Sequence, residues 1–214
     1  MAHCALILAG GMGSRLGYQE KALIDINGRP LISLVIEALE KTVDDVIISV
    51  RDGEQGELID SRIPGYRFAY DDYKNCGPLA GILSGLSACG GEYCFVAACD
   101  MPFINEKSVR LLFRKCDGFD AALPRWDDGS LEPLHAVYKC EPMVRETRKA
   151  IESGETVILA PVFRLNVNYV SMEDIKNYDP ELRTFMNVNT YEDIQQVMNK
   201  FEHVPQKIPG KRIS

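Results

Sequence analysis

A short stretch near the start of the chain gathers groups suited to holding an anion. Residues 8–17 read Leu8-Ala-Gly-Gly-Met-Gly-Ser-Arg-Leu-Gly17, and Lys21 follows. Glycines let a backbone approach a ligand closely and let successive N–H groups converge on negative charge. Arg15 adds a planar fork for phosphate oxygens, and Lys21 adds a mobile point charge. Neither common phosphate loop is matched. No Gly-Lys-Ser/Thr completes a P-loop, and Leu16 stands where a GxGxxG pattern needs glycine. Glycines alone would read as a tight strand-to-helix turn. With Arg15 and Lys21 attached, a phosphate cradle is the stronger reading.

Carboxylates supply the second half of such chemistry. Asp100 lies in Ala98-Cys-Asp-Met-Pro-Phe103, and Asp71-Asp72 form a pair. Mg²⁺ takes oxygen ligands, needs few protein carboxylates and keeps water and phosphate oxygens for the rest. One aspartate after an apolar strand suits it, although a helix cap or turn before Met101-Pro102 is the bland alternative. Asp71-Asp72 reads equally as a solvated turn. There is no Ser-His-Asp or Cys-His arrangement for a covalent intermediate. His135, between Leu134 and Ala136, reads first as a hydrogen-bonded histidine in a sheet and second as a substrate-side contact. Trp126, beside Arg125, Asp127 and Asp128, is a surface turn or a lid whose ring could stack on a planar ligand. Glu132-Pro133 would border the same space. Tyr70 and Tyr73 read as packing residues, and His3 and His203 as surface residues.

These groups need a frame. Short apolar runs at 4–9, 45–50, 66–70, 93–98, 120–124 and 134–138 read as strands. Helical spacing falls at 30–42, 78–88, 105–116, 142–153 and 191–200, with Pro30 in a first turn and Asn105 as an N-cap. Strands alternating with helices predict an α/β fold with a mostly parallel central sheet in three αβα layers. Ligands in such folds sit outside the carboxyl ends of strands. Residues 10–17, Arg51, Asp71-Asp72 and Asp100 all follow predicted strands. The expected organisation is a single domain over 1–202 and a tail over 203–214.

Composition bounds the partners. The 214 residues are 46% hydrophobic and 26% charged, with a net charge of −7. An acidic chain does not favour nonspecific nucleic-acid binding, which needs a basic face. No apolar run approaches the ~18 residues of a membrane span, and the start lacks the layout of a signal peptide. A cytoplasmic protein with no membrane partner is expected. The seven cysteines, Cys4, Cys76, Cys89, Cys94, Cys99, Cys116 and Cys140, form no CxxC and read mostly as small buried hydrophobes. No Cys/His pair has zinc-ligand spacing.

The loop at 8–17 with Lys21 resembles the nucleoside-triphosphate loop of GT-A-like, Rossmann-type nucleotidyltransferases. Four more segments narrow the likeness: Gly77-Pro-Leu-Ala-Gly-Ile82, Ala98-Cys-Asp-Met-Pro-Phe103, Glu132-Pro-Leu-His-Ala-Val-Tyr138 and Met186-Asn-Val-Asn-Thr190. In this order they resemble the molybdenum cofactor guanylyltransferase family, from about residue 5 to residue 198. The chain departs from it at Glu20, where the family often has Asp before the loop lysine, and at Tyr18 and Gln19.

The resemblance implies transfer of GMP from GTP to the molybdopterin phosphate, release of pyrophosphate, and use of Mg²⁺. It implies that Leu8, Ala9, Gly10, Gly11 and Gly13 line the nucleotide, and that Arg15 and Lys21 hold its phosphates. Ser49 would be a nucleotide contact, and Asp71 or Asp72 would serve the base or ribose. Gly77, Pro78 and Leu79 would close the pocket, and Asp100 would bind the metal. Asn187 and Asn189 would face the acceptor or the metal, with His135 on the acceptor side. Molybdoenzyme apoproteins are further partners that the resemblance implies. The alternatives are a related enzyme using CTP or another acceptor such as a sugar phosphate, and a non-catalytic nucleotide or cofactor binder.

Overall fold

The first apolar run forms β1 (His3–Leu8), a strand buried along its middle. The structure, a computed structural model, describes residues 3–13 and 19–201. After β1 come a small ribbon of β2 (Met12–Gly13) and β3 (Gln19–Glu20), then a second of β4 (Asp25–Ile26) and β5 (Arg29–Pro30). Then follow α1 (Leu31–Leu39), β6 (Asp45–Val50), α2 (Gly53–Arg62), β7 (Arg67–Tyr70), α3 (Pro78–Ala88), β8 (Tyr93–Ala98) and α4 (Glu106–Cys116). The remainder is β9 (Ala121–Arg125), β10 (His135–Lys139), α5 (Cys140–Glu152), α6 (Leu159–Val162), β11 (Val167–Ser171), α7 (Met172–Lys176) and α8 (Tyr191–Phe201).

Seven strands form one sheet in the order β11-β9-β10-β8-β1-β6-β7. Every neighbouring pair is parallel except those made by β10, which runs against both β8 and β9. The mostly parallel sheet is as expected. The elements α2, α6, β11 and α7 add to what the spacing predicts.

Alternation along β1 explains the three layers. Ala5 and Ile7 point to a core closed by Ile32 and Val35 of α1, Ile59 of α2 and Val109 of α4. Cys4 and Leu6 point to the opposite core, under Leu79 and Ile82 of α3 and Met143 of α5. Successive side chains of a strand face opposite sides, so one strand serves both layers. A third cluster packs Ile194 and Val197 of α8 onto Ile24, Ile26, Leu31 and Leu34. It brings the segment around residue 189 back to the start of the chain. Among the described residues, no helix is long and apolar enough to cross a membrane.

Candidate active site

Two strand ends and one returning segment converge on Lys21. Cys99 N–H donates to the Leu8 carbonyl at 3.1 Å, holding the ends of β8 and β1 together, and Asp100 follows. The Asp100 carbonyl accepts from Val188 N–H at 2.9 Å, which docks the returning segment. Lys21 Nζ donates to Asp100 Oδ2 in a close ion pair and to Asn189 Oδ1 at 2.8 Å. The Lys21 and Asp100 side chains are only 15% and 14% exposed. Asn189 is fixed from behind, since Asp193 Oδ2 accepts from the N–H groups of Asn189 at 2.8 Å and Thr190 at 2.9 Å. Those bonds, led by the one from Asn189, hold the Asp193 carboxyl below its ordinary range.

A second group lines the space beside Gly10. A Cβ on Gly10 would stand 3.5 Å from Asp71 Oδ2 and 3.6 Å from the Arg51 nitrogen, so the Asp71 carboxylate and the Arg51 backbone pack directly against this glycine. Asp71 Oδ1 accepts from Ser49 Oγ at 3.1 Å and Ser84 Oγ at 3.4 Å. Burial pushes the Asp71 carboxyl up, against the lowering by those two hydroxyls. Arg51 pairs with Glu20, while its Nη1 is buried with no hydrogen-bond partner. Gln55, 1% exposed, ties the corner together. It donates to the Ala9 carbonyl at 2.8 Å and to Glu20 Oε2 at 2.6 Å, and accepts from Arg51 N–H at 2.9 Å. Asp52 caps α2 and so sets Gln55 in place.

Asp100 also offers one free valence. Its Oδ1 is buried without a partner, while Oδ2 is engaged by Lys21. A lone carboxylate oxygen fits Mg²⁺, which is held by one or two carboxylates plus water and substrate oxygens. Among the described residues, no group of three or more His, Cys, Asp or Glu is placed to cage a metal ion.

Aromatic residues stand at the same edge of the sheet. Because β10 runs antiparallel to β8, the residues just before His135 lie beside the end of β8. Trp126 Nε1 donates to Glu132 Oε1 at 2.7 Å, and its ring lies 5.6 Å from that of Phe185. Burial raises the Glu132 carboxyl against the lowering by Trp126.

A family model described as "MobA-like NTP transferase domain" matches residues 5–165. The chain belongs to this family. It is 43% identical over 210 residues to a protein of Methanosarcina mazei named "Probable molybdenum cofactor guanylyltransferase", covering 95% of this chain and 92% of the relative. A protein of the same name from Natronomonas pharaonis is 34% identical, with coverage of 91% and 96%. Among solved structures, "Molybdopterin-guanine dinucleotide biosynthesis protein A" from Archaeoglobus fulgidus superposes with a TM-score of 0.81 at 34% identity. That match covers 93% of this chain and 98% of the other.

Within this MobA-like frame, the residues singled out from sequence separate into groups. Lys21, Asp100 and Asn189 come together, and Gly10 faces Asp71. Asp71 is thereby distinguished from Asp72, which is exposed. Leu8 is half-buried and Gly11 exposed. Gly77 has a φ of +55°, a conformation that favours glycine, and leads into Pro78 in the first turn of α3. Arg15 and the tail lie outside the described residues, and Gly13 is described only as part of β2.

The remaining candidates differ in burial and bonding. Ser49 is 1% exposed, and its hydroxyl donates to Asp71. Leu79 and Ala9 are fully buried, which leaves a ligand only their backbone. Asn187 is exposed, two residues before Asn189. His135 is 0% exposed, wedged edge-on against Phe95 and Phe185 with Nε2 3.1 Å from Thr184 Oγ1, so it lies behind the wall of the site. The corner residue that sequence reading missed is Gln55. Its signal was Asp52 three residues earlier, an N-cap pattern with Gln at the third helical position.

Burial holds the His135 pKa down at about 3. The unfolded chain takes up this proton below its ordinary value near 6.5, and the native state does not. Stability is therefore lost between pH 6.5 and about 3, by up to ~1.4 kcal/mol per pH unit from this group. His135→Gln should flatten that acid limb in urea unfolding at pH 7, 6, 5 and 4. An unchanged slope would assign the acid sensitivity to other groups.

Proposed function

We propose that this chain transfers GMP from GTP to the terminal phosphate of molybdopterin, releasing pyrophosphate and forming the guanine dinucleotide cofactor. The carrying observation is the Lys21–Asp100–Asn189 cluster at the strand ends, in a chain so similar to proteins named for that activity.

The attacking group is a phosphate monoester, already largely ionised at neutral pH, so no general base is needed. The difficulty is that one anion must approach another. Positioning and fixed positive charge then carry the catalysis. Lys21 places an ammonium where triphosphate oxygens would lie, held by Asp100 and Asn189. Arg15 is proposed as the second phosphate ligand. The unpartnered Nη1 of Arg51 gives a third donor at the same edge. Asp100 would hold Mg²⁺ through Oδ1, and the bound ion would supply charge stabilisation at the reacting phosphate. Asp71 accepts N–H or O–H groups from the nucleoside, oriented by Ser49 and Ser84. Trp126, Glu132 and Phe185 flank the acceptor side, where a planar pterin could stack.

Pyrophosphate release from GTP, CTP, ATP and UTP, each with molybdopterin and Mg²⁺, tests this reading. GTP should exceed the others by at least about 100-fold, as hydrogen-bonding sites discriminate at that level or beyond. Turnover with CTP would make the chain a cytidylyltransferase. Nucleotide binding without release would make it a binder.

Asp71→Asn separates binding from folding. The raised carboxyl favours the fold when protonated, and that contribution is lost as pH rises through its folded pKa. Asparagine should hold or raise Tm at pH 7 and above, with the gain fading as pH falls towards ~4. The KM for GTP should rise at the same time, and Asp72→Asn should move neither quantity.

A further inference from the structure

The glycine loop leaves β1 at Ala9 and returns through β3, and one buried side chain holds both of its stems. Gln55 stands in the first turn of α2 and is 1% exposed. Its amide nitrogen donates to the Ala9 carbonyl on the entering stem at 2.8 Å and to Glu20 Oε2 on the returning stem at 2.6 Å. The stems also pair with each other, Met12 facing Glu20 in the β2–β3 ribbon. The backbone from Ala9 to Met12, the ribbon pair and Gln55 therefore close a circuit. Arg15 lies in sequence between the two stems, and Lys21 follows the second at once.

Only a primary amide of this length completes the circuit. Both N–H groups of the Gln55 amide are used, and its Oε1 accepts from Arg51 N–H at 2.9 Å. With nitrogen and oxygen exchanged, the oxygen would face a carbonyl and a carboxylate. Glutamate lacks the donors, lysine lacks the acceptor, and asparagine is one methylene short. The amide is anchored on both sides. Asp52 Oδ1 accepts from Gln55 N–H at 2.8 Å, and Glu20 Oε1 is held in turn by Arg51. A buried polar network with its members paired specifies one arrangement of the groups it joins.

We infer that Gln55 is a positioning residue for the nucleotide: it locks the two stems of the glycine loop at the spacing the triphosphate needs, before the nucleotide arrives. This role rests on the GMP transfer proposed above. Without the lock, binding must first arrange the loop, and apparent affinity falls by the fraction of chains in which it is already arranged. That cost is met on nucleotide capture. The chemical step then starts from the same bound arrangement, with Lys21 against Asp100 and Asn189. KM for GTP therefore moves and kcat does not. A residue that only supports the fold does the reverse, since unfolded chains lower kcat and leave KM alone.

Gln55→Met keeps the length of the side chain and removes its amide. KM for GTP should rise about 10-fold or more with kcat within about 3-fold of the parent. Kd for GTP, from calorimetric titration with Mg²⁺ and no acceptor, should rise by a like factor. Gln55→Glu keeps the shape better, yet sets a carboxylate against Glu20 and the Ala9 carbonyl, so KM should rise further than in Gln55→Met. Ile59→Val trims the fully buried face of the same helix, and Tm should fall by about 2–5 °C with KM and Kd unchanged. Unchanged KM and Kd in Gln55→Met, a fall in kcat alone, or a smaller KM rise in Gln55→Glu would overturn the lock while turnover by the parent upholds the reaction. A parent chain that binds GTP but releases no pyrophosphate would overturn the reaction, and the Kd comparison would still decide the lock. A parent chain that binds no nucleotide would overturn both.

Discussion

Asp100→Ala should lower GMP transfer by at least about 10³-fold while Tm moves by only a few degrees. Loss of one preorganised electrostatic group in an active site costs about 10²–10³ in rate. Asp100 supplies two such roles, a free carboxylate oxygen on one side and the anchor of Lys21 on the other. The fold has less at stake, because Lys21 keeps Asn189 as a partner at 2.8 Å and retains some solvent access. Lys21→Ala should cost about 10²–10³ as well. The double variant should fall little below Asp100→Ala, because residues that act as a unit are not additive. Initial rates of pyrophosphate release, with Tm measured alongside, check all three. Full additivity would mean that the ion pair is structural and that the two residues touch the reaction separately.

The positions of Asp100 and Gly10 were legible because a parallel sheet presents its strand ends on one edge, and apolar runs mark where strands end. The choice between Asp71 and Asp72 was not legible. Neighbours on an extended chain point opposite ways, so only one can face Gly10, and which one depends on the pairing of Val50 with Tyr70. The burial of Ser49 was hidden for the same reason. It depends on α3 lying across β6, a tertiary fact. The helix α2 was missed because Gly53-Glu-Gln-Gly-Glu-Leu-Ile-Asp-Ser-Arg62 buries little beyond Gln55, Gly56 and Ile59, leaving no apolar stripe to count. Gln55 therefore had no visible role. Asn189 joins Lys21 across 168 residues, through the packing of α8 on β4 and α1, which no local spacing reports.

Gly81→Ala and Gly85→Ala should separate the nucleotide wall from the core, although the two positions lie one turn apart on α3. Alanine favours a helix over glycine by about 1 kcal/mol. At Gly85 the new Cβ would stand 2.2 Å and 2.6 Å from the two methyl carbons of Leu6, which is 0% exposed and fixed between β6 and β8. Overpacking a filled core costs about 1–3 kcal/mol, occasionally more, and contacts this short belong at the upper end. The clash outweighs the propensity gain, and Tm should fall by about 3–10 °C with KM for GTP nearly unchanged. At Gly81 the Cβ would meet Ser49 Oγ at 2.4 Å and Leu8 Cδ2 at 3.0 Å. Displacing that hydroxyl removes a hydrogen bond from the Asp71 carboxylate, worth about 1.5–3 kcal/mol, so KM for GTP should rise by roughly 10-fold or more. Ser49→Ala removes the obstructing oxygen. In that background Gly81→Ala should recover much of its Tm loss but none of its KM, because Asp71 lacks its partner in either chain. Equal Tm losses at both glycines, with KM unmoved, would show that α3 supports the sheet without shaping the nucleotide site.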